Sequence, residues 1–424
     1  MNLDREQAAA LDDADPLRHW RDRFVLPQDE RGRELVYLCG HSLGAQPLLA
    51  TEFVEEVMRD WRRLAVDGHF AADHPWMTYH LRLATALAGL VGAEPGEVVA
   101  MNTLTANLHL MLVSFYRPAG GRTALMIERS AFPSDRYAAE SQVRFHGLDP
   151  ARDLIELAPR DGEDCLRTED VIEAIGRAAP RLATVLLPGV QYLTGQALDV
   201  AAITAAARHA GATVGWDLAH AIGNVPVALH DAGADFAVWC HYKYLNGGPG
   251  AVAGAFVHAR HARDRELPRF AGWWGNDRAT RFRMAPEFEP APGAEGWQLG
   301  NPPILALAPV AASLTHFESV GIAALRAKSV ALTGYLERLI DARLAGRVAI
   351  LTPRDPQARG AQLSLRLECG RDRARAAFDG LRARGFVPDW REPGVVRVAL
   401  VPFYNGYEDA WRFVEALDAE LRDA

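Results

Sequence analysis

The chain runs to 424 residues, with 46 Lys and Arg against 54 Asp and Glu and a formal charge of −8. That balance leaves no basic face for a nucleic-acid backbone, and no apolar run reaches the ~20 residues that cross a bilayer. With 49% hydrophobic and 24% charged residues, the composition is globular and too long for one core, which predicts one large and one smaller domain.

The first residues, MNLDREQAAALDDADPL, are polar and acidic and lack the apolar centre of a secretory leader, so the expected location is cytoplasmic. Cys39, Cys165, Cys240 and Cys369 form no CxxC pair. They predict buried, reduced thiols, with neither a disulfide framework nor a metal site.

Over residues 48–258 short apolar runs alternate with helical segments. TALMIE from Thr123, ATVLLPGV from Ala183, ATVGWDLAH from Ala212, DFAVWCHY from Asp235 and GAVAGAFVH from Gly250 read as strands. Residues 167–180 and 200–211 read as helices between them. This alternation predicts an α/β fold whose mainly parallel sheet is covered on both faces. Residues 260–303, rich in Arg, Trp, Pro and Gly, read as irregular. Two helices follow, over 302–321 and about 323–345. The tail reads as strands and a closing helix, on which Trp411, Val414, Leu417 and Leu421 recur at helical spacing.

Ligands of such sheets sit at the carboxyl ends of the strands. Asp217 and His220 fall there in GWDLAH, Tyr242 and Lys243 in WCHYKY, and Phe132, Ser134 and Asp135 in the segment after TALMIE. Singly, each has an ordinary explanation as a helix cap, a solvated charge or packing. Together they fit pyridoxal phosphate. A lysine amine in a partly apolar site is a usable nucleophile toward an aldehyde. An aspartate holds a pyridine nitrogen protonated, and an aromatic ring stacks on the pyridine. Thr103 and Thr105, at the start of an apolar-periodic helix, offer a phosphate site or simply an N-cap pair. GGPGAVAG from Gly247 is not a dinucleotide fingerprint. Its spacing departs from GxGxxG and it leads into a strand, so it reads as a turn between adjacent strands.

At this point the chain resembles a known family. YLCGHSLGAQP, NTLTANLHL, AFPSDRYAAESQ, GWDLAHAIGN, YKYLNGGPG, GWWG, NPPI and VRVALVPFYN are similar to kynureninase motifs and occur in the family's order. The resemblance implies a fold type I pyridoxal-phosphate enzyme of the aminotransferase class V kind. It implies a large PLP-binding domain over 46–300, a small α+β domain over 301–424, and residues 1–45 joining the small domain. The implied reaction is hydrolysis of L-kynurenine, and possibly of its 3-hydroxy form, to anthranilate and L-alanine in tryptophan degradation. The implied assembly is a homodimer with shared active sites.

By the same resemblance, Lys243 is the Schiff-base lysine, with Asp217 and Tyr242 completing the catalytic group. Leu104, Thr105, Phe132, Ser134, Asp135, His220, Trp273 and Asn301 join them around the cofactor, the last two supplied across the dimer. Arg397, His69 and Ser42, with Asn301, fall on the substrate side. Two positions depart from the pattern. His241 stands where the family more often has a small residue, and Pro188 stands where some members have serine. Arg397 lies amid Val and Ala and needs a partner. An intrachain pair with Glu392 or Asp389 would serve, but its planar fork suits the substrate α-carboxylate. A desulfurase on the same scaffold would need a cysteine on a mobile loop, and Cys369 reads as a strand end. A scaffold that binds without turnover would not need the Lys243, Asp217 and Arg397 set.

Overall fold

The computed structural model describes residues 3–423. Seven strands form the main sheet: β1 (Val98–Ala100), β2 (Ala124–Glu128), β3 (Leu154–Leu157), β4 (Leu182–Pro188), β5 (Thr213–Asp217), β6 (Phe236–Cys240) and β7 (Ala253–Val257). Their order is β1-β7-β6-β5-β4-β2-β3. The pairs β2–β3, β2–β4, β4–β5 and β5–β6 are parallel, and β7 alone runs against its neighbours β6 and β1.

Alternation along these strands feeds two cores, as a sheet buried on both faces requires. Val98, Met126, Val185, Val214 and Trp239 pack on one face. Their partners there come from α2 (Leu49–Leu64), α5 (Thr168–Ala178), α6 (Val200–His209) and α7 (Ile304–Val320). Val99, Ile127, Leu186, Phe236 and Val238 pack on the other, against α3 (Leu104–Phe115) and α4 (Pro133–Phe145). The helix ends follow local chemistry. Asp199 caps α6 by accepting from the amide of Ala202 at 2.9 Å.

The remainder packs around a separate cluster built on α8 (Ile322–Arg343), α9 (Arg371–Ala383) and α10 (Tyr407–Asp423). These cover an antiparallel sheet of β8 (Val348–Ile350), β9 (Gln362–Leu367), β10 (Asp389–Arg391) and β11 (Val395–Ala399), in the order β8-β9-β11-β10. The N-terminal segment belongs to this cluster. Its helix α1 (Arg5–Asp13) presents Asp12, which accepts from the amides of Tyr407 and Glu408 at 2.7 and 2.9 Å and so caps α10. Val36 and Tyr37 pair in parallel with Phe386 and Val387.

Residues 260–303 contain only short 3₁₀ turns and no strand. The glycine-rich run after Lys243 is the turn between antiparallel β6 and β7. The cysteines are free, but only Cys240 is fully buried; Cys39, Cys165 and Cys369 are half-buried, in loops where the packing is less complete. Cys369 lies just beyond β9. Among the described residues no single helix is long and apolar enough to cross a membrane.

Candidate active site

A cavity opens at the carboxyl ends of β2, β4, β5 and β6. Leu104 and Thr105 line it from the first turn of α3, and Phe132, Ser134 and Asp135 from the start of α4. Asp217 ends β5, His220 follows in the next turn, and Tyr242 and Lys243 leave β6. Trp273, Asn301, His69, Ser42 and Arg397 do not line it.

Lys243 points its Nζ between two rings, 5.8 Å from the centre of Phe132 and 6.0 Å from that of Tyr242. The turn that carries it is held from the N-terminal segment. The Gly44 amide donates to the Tyr242 carbonyl at 2.8 Å. A Cβ at Gly44 would lie 2.4 Å from the carbonyl oxygen of Lys243, so the approach admits only glycine.

Opposite the amine, two carboxyls meet in the buried floor. Burial first, and then the charge of Asp217, raise the Asp135 pKa well above the usual carboxylate range. Asp135 is thereby biased toward its protonated form and hydrogen bonds with Asp217, as adjoining buried carboxyls that resist ionising together do. Asp217 also accepts from the Ala219 amide at 2.7 Å. His220 is buried, and burial followed by the charge of Lys243 lowers its pKa, so the imidazole is neutral.

The fit of pyridoxal phosphate can be judged on these atoms. Asp135 Oδ1, His220 Nδ1 and Glu128 Oε2 are buried without a hydrogen-bond partner in the protein, which a polar ligand would satisfy. Thr103 does not cap α3 with its side chain. The first-turn amides of α3 beside Leu104 and Thr105 therefore remain open to an anion. An amine, an acid pair, an aromatic face and an anion-binding helix end are the donor set that this cofactor needs.

Sequence reasoning missed Glu128, Ala131, Val190, Tyr192 and Ala219 in the lining. Glu128 closes β2 and falls under the same strand-end rule that picked out Asp217. It is 5% exposed, and burial pushes its pKa up to about 7 against the pull of the Gln191 amide. Tyr192 sits on the loop after β4 with its ring edge toward Phe132, centroids 5.2 Å apart. Pro188 lines the cavity as the sequence implied, with no polar side chain to offer. His241 turns away into the core. Its Nε2 accepts from Trp239 Nε1 at 2.8 Å and its Nδ1 bonds the Val252 carbonyl, so it ties β6 to β7.

Arg397 is 1% exposed and does find the intrachain partner Asp389, directly across the β10–β11 register. Its Nε donates to Asp389 Oδ2 at 2.6 Å and its Nη1 to the Tyr192 carbonyl at 2.7 Å. Through Tyr192 this small-domain cation touches the cavity wall. Ser42 lies in the loop over 39–44 that abuts the lysine turn, one residue after the fully buried His41. His69 bonds the Val66 carbonyl at 3.0 Å and packs on Trp76. Trp273 is 42% exposed, whereas its neighbour Trp274 is buried in its own chain, and Asn301 is exposed.

A family model described as the kynureninase C-terminal domain matches residues 325–417. The kynureninase of Stenotrophomonas maltophilia (strain K279a) is 58% identical over 417 residues, covering 98% of both chains. That of Xanthomonas axonopodis pv. citri (strain 306) is equally similar over the same span. Among solved structures, the cystine C–S lyase C-DES with its product cysteine persulfide superposes with a TM-score of 0.76 at 18% identity, covering 91% of this chain and 97% of that one. The apo cysteine desulfurase from Thermococcus onnurineus NA1 gives 0.75 at 17%, covering 92% and 95%. At that identity the last two carry the fold alone.

Proposed function

This chain belongs to the kynureninase family, and from that premise we propose that it hydrolyses L-kynurenine to anthranilate and L-alanine with pyridoxal phosphate held at Lys243. The observation that carries the reading is the meeting of Lys243, Asp217, Asp135 and Phe132 in one cavity at the strand ends.

When bound, the cofactor supplies an electron sink for charge that develops on the carbons next to the substrate amine. The chain does the rest. Lys243 would anchor the cofactor, and its free amine would take the substrate Cα proton. Asp217, paired with Asp135 in the same floor, would hold the ring nitrogen protonated. Phe132 would stack on the ring, the α3 amides with Tyr242 would hold the phosphate, and Ser134 and His220 line the same cavity. Arg397 takes the substrate α-carboxylate. Water adds at the γ-carbonyl, the Cβ–Cγ bond breaks, anthranilate leaves, and Tyr242 relays a proton to the β-carbon.

The proposal extends to a cytoplasmic homodimer in which Trp273 and Asn301 complete the partner's site and His69 and Ser42 reach substrate. An exposed apolar groove of Val57, Trp61, Trp76 and Pro303 to Ala306 adjoins Asn301 and supports this. Trp61 and Leu305 there are 56% and 45% exposed, the pattern of a surface awaiting a protein partner. The division at 1–45, 46–300 and 301–424 is supported in part by the separate cluster around α8 to α10, which Val36 and Leu38 join, whereas α7 packs on the main sheet.

The test is anthranilate fluorescence and alanine release from purified holoprotein fed L-kynurenine. Equal yields are expected; release of sulfur from cysteine without anthranilate would overturn the reading in favour of a desulfurase. For the dimer, inactive Lys243→Ala and Asn301→Ala subunits are allowed to exchange. Recovered activity is expected, and its absence despite proven exchange places Asn301 in its own chain's site.

A further inference from the structure

We propose that Asp389 is a positioning residue, one that fixes the Arg397 guanidinium by one edge so that its remaining two N–H groups present a ready-made fork for a single carboxylate. The proposal rests on the reading of Arg397 as the carboxylate ligand.

Counting donors makes the case. A guanidinium carries five N–H groups. In Arg397 the Nε–H goes to Asp389 Oδ2 at 2.6 Å, Nη2 bonds the same oxygen, and one Nη1–H goes to the Tyr192 carbonyl at 2.7 Å. One N–H remains on each terminal nitrogen. Provided the Tyr192 carbonyl takes the Nη1–H nearer Cδ, those two form the end of the planar fork, the geometry that takes a carboxylate bidentately. Asp389 therefore occupies the side edge of the guanidinium and leaves the end free.

The charge count agrees. Asp389 Oδ2 also accepts from Arg391 Nε at 2.9 Å. His41 Nε2 stands 3.8 Å from that oxygen. Burial pushes the His41 pKa down to about 3, so it is neutral. Two arginines, one carboxylate and one neutral imidazole sum to one positive charge, which a single substrate carboxylate neutralises. Leaving such a charge uncompensated is costly at a site where Arg397 is almost wholly buried. The cluster also reaches the cofactor side, since the His41 ring lies 6.2 Å from that of His220.

A competing role predicts the opposite sign. If Asp389 merely stood in for the substrate carboxylate, removing its charge would free Arg397 and tighten substrate binding. The experiment uses holoenzyme with Asp389→Asn and Asp389→Glu. It measures kcat and KM for L-kynurenine and the inhibition constant of kynuramine, which lacks the α-carboxylate. Positioning predicts a KM raised about tenfold in Asp389→Asn. It further predicts kcat within about threefold, partial rescue in Asp389→Glu, and an unchanged kynuramine constant. A KM that falls or stays at the wild-type value overturns the proposal, as does equal weakening toward kynuramine. Should Asp389→Asn not fold, Asp389→Glu alone decides, because its displaced carboxylate must still weaken kynurenine and spare kynuramine. Arg397→Ala separates the two levels. If that variant keeps the wild-type KM, the reading of Arg397 itself fails. If it loses kynurenine while Asp389→Asn does not, only the positioning role fails.

Discussion

Lys243 and Arg397 are two cations set in apolar surroundings, and they are treated differently. Arg397 comes with its counter-ion built in, shared with Arg391 and fixed by the β10–β11 register. Lys243 has no ion pair among the described residues. Its amine faces two aromatic rings and lies in the same cavity as the Asp135–Asp217 pair. The difference separates a charge meant to stay from an amine meant to react. A permanent cation needs permanent compensation, whereas a nucleophile needs an approach left open.

The largest effect should come from the reactive member of the pair. Lys243→Ala should lower kcat on the order of 10³-fold or more, since anchor and proton acceptor go together. Folding should survive, because no ion pair is lost. Borohydride reduction of wild-type holoprotein followed by peptide mapping should place the cofactor on Lys243; an adduct elsewhere would break the contrast at its root.

Arg397→Ala should be next. Losing a buried charge pair costs about 2–5 kcal/mol, roughly 30- to several-thousand-fold in kcat/KM. Asp389 keeps Arg391 as a partner, so cofactor absorbance should stay near wild type. Arg397→Lys should recover part of the loss, because an ammonium cannot reproduce the fork. A variant that sheds cofactor while keeping its KM would turn Arg397 into a purely structural cation.

The smallest effect concerns Glu128, a third buried charge-bearing group with no ionic partner. Its pKa rises from the ordinary 4.5 to about 7 through burial. Its contribution to stability is therefore full below pH 4.5 and is lost as pH rises to about 7. The loss is on the order of 3 kcal/mol at most. Glu128→Gln should flatten that decline, giving a higher Tm than wild type at pH 8 and a matching one at pH 5. Equal pH profiles in thermal melts would show that Glu128 finds compensation elsewhere.

How far the sequence reaches follows from the kind of information each residue depends on. Asp217, Tyr242 and Lys243 were legible because a strand's apolar run marks its own end, and parallel sheets collect strand ends. Glu128 obeys the same rule but carries no motif that singles it out. The Asp135–Asp217 contact joins the first turn of α4 to the end of β5, and sequence spacing says nothing about which carboxyls meet. The Arg397–Asp389 pair could be named as one of two alternatives but not chosen, since Glu392 also lies near in sequence and only the register decides. In the structure Glu392 pairs instead with Arg371. His241 was visible as a departure, yet its function needed the position of Trp239 and Val252. Trp273, Asn301 and His69 do not line the cavity of their own chain, and no strand-end or helix-start rule picks them out.

The pairing of Val36 and Tyr37 with Phe386 and Val387 has a consequence for how the protein is made. The segment that presses Gly44 onto the lysine turn leaves the ribosome long before its strand partner at Phe386 and Val387 is synthesised. The large sheet can form during translation from neighbouring strand–helix units, whereas this contact must wait for the tail. Clamping of the lysine turn thus comes late in folding. A nascent chain stalled before Phe386 would hold Lys243 in a turn that this pairing does not yet clamp.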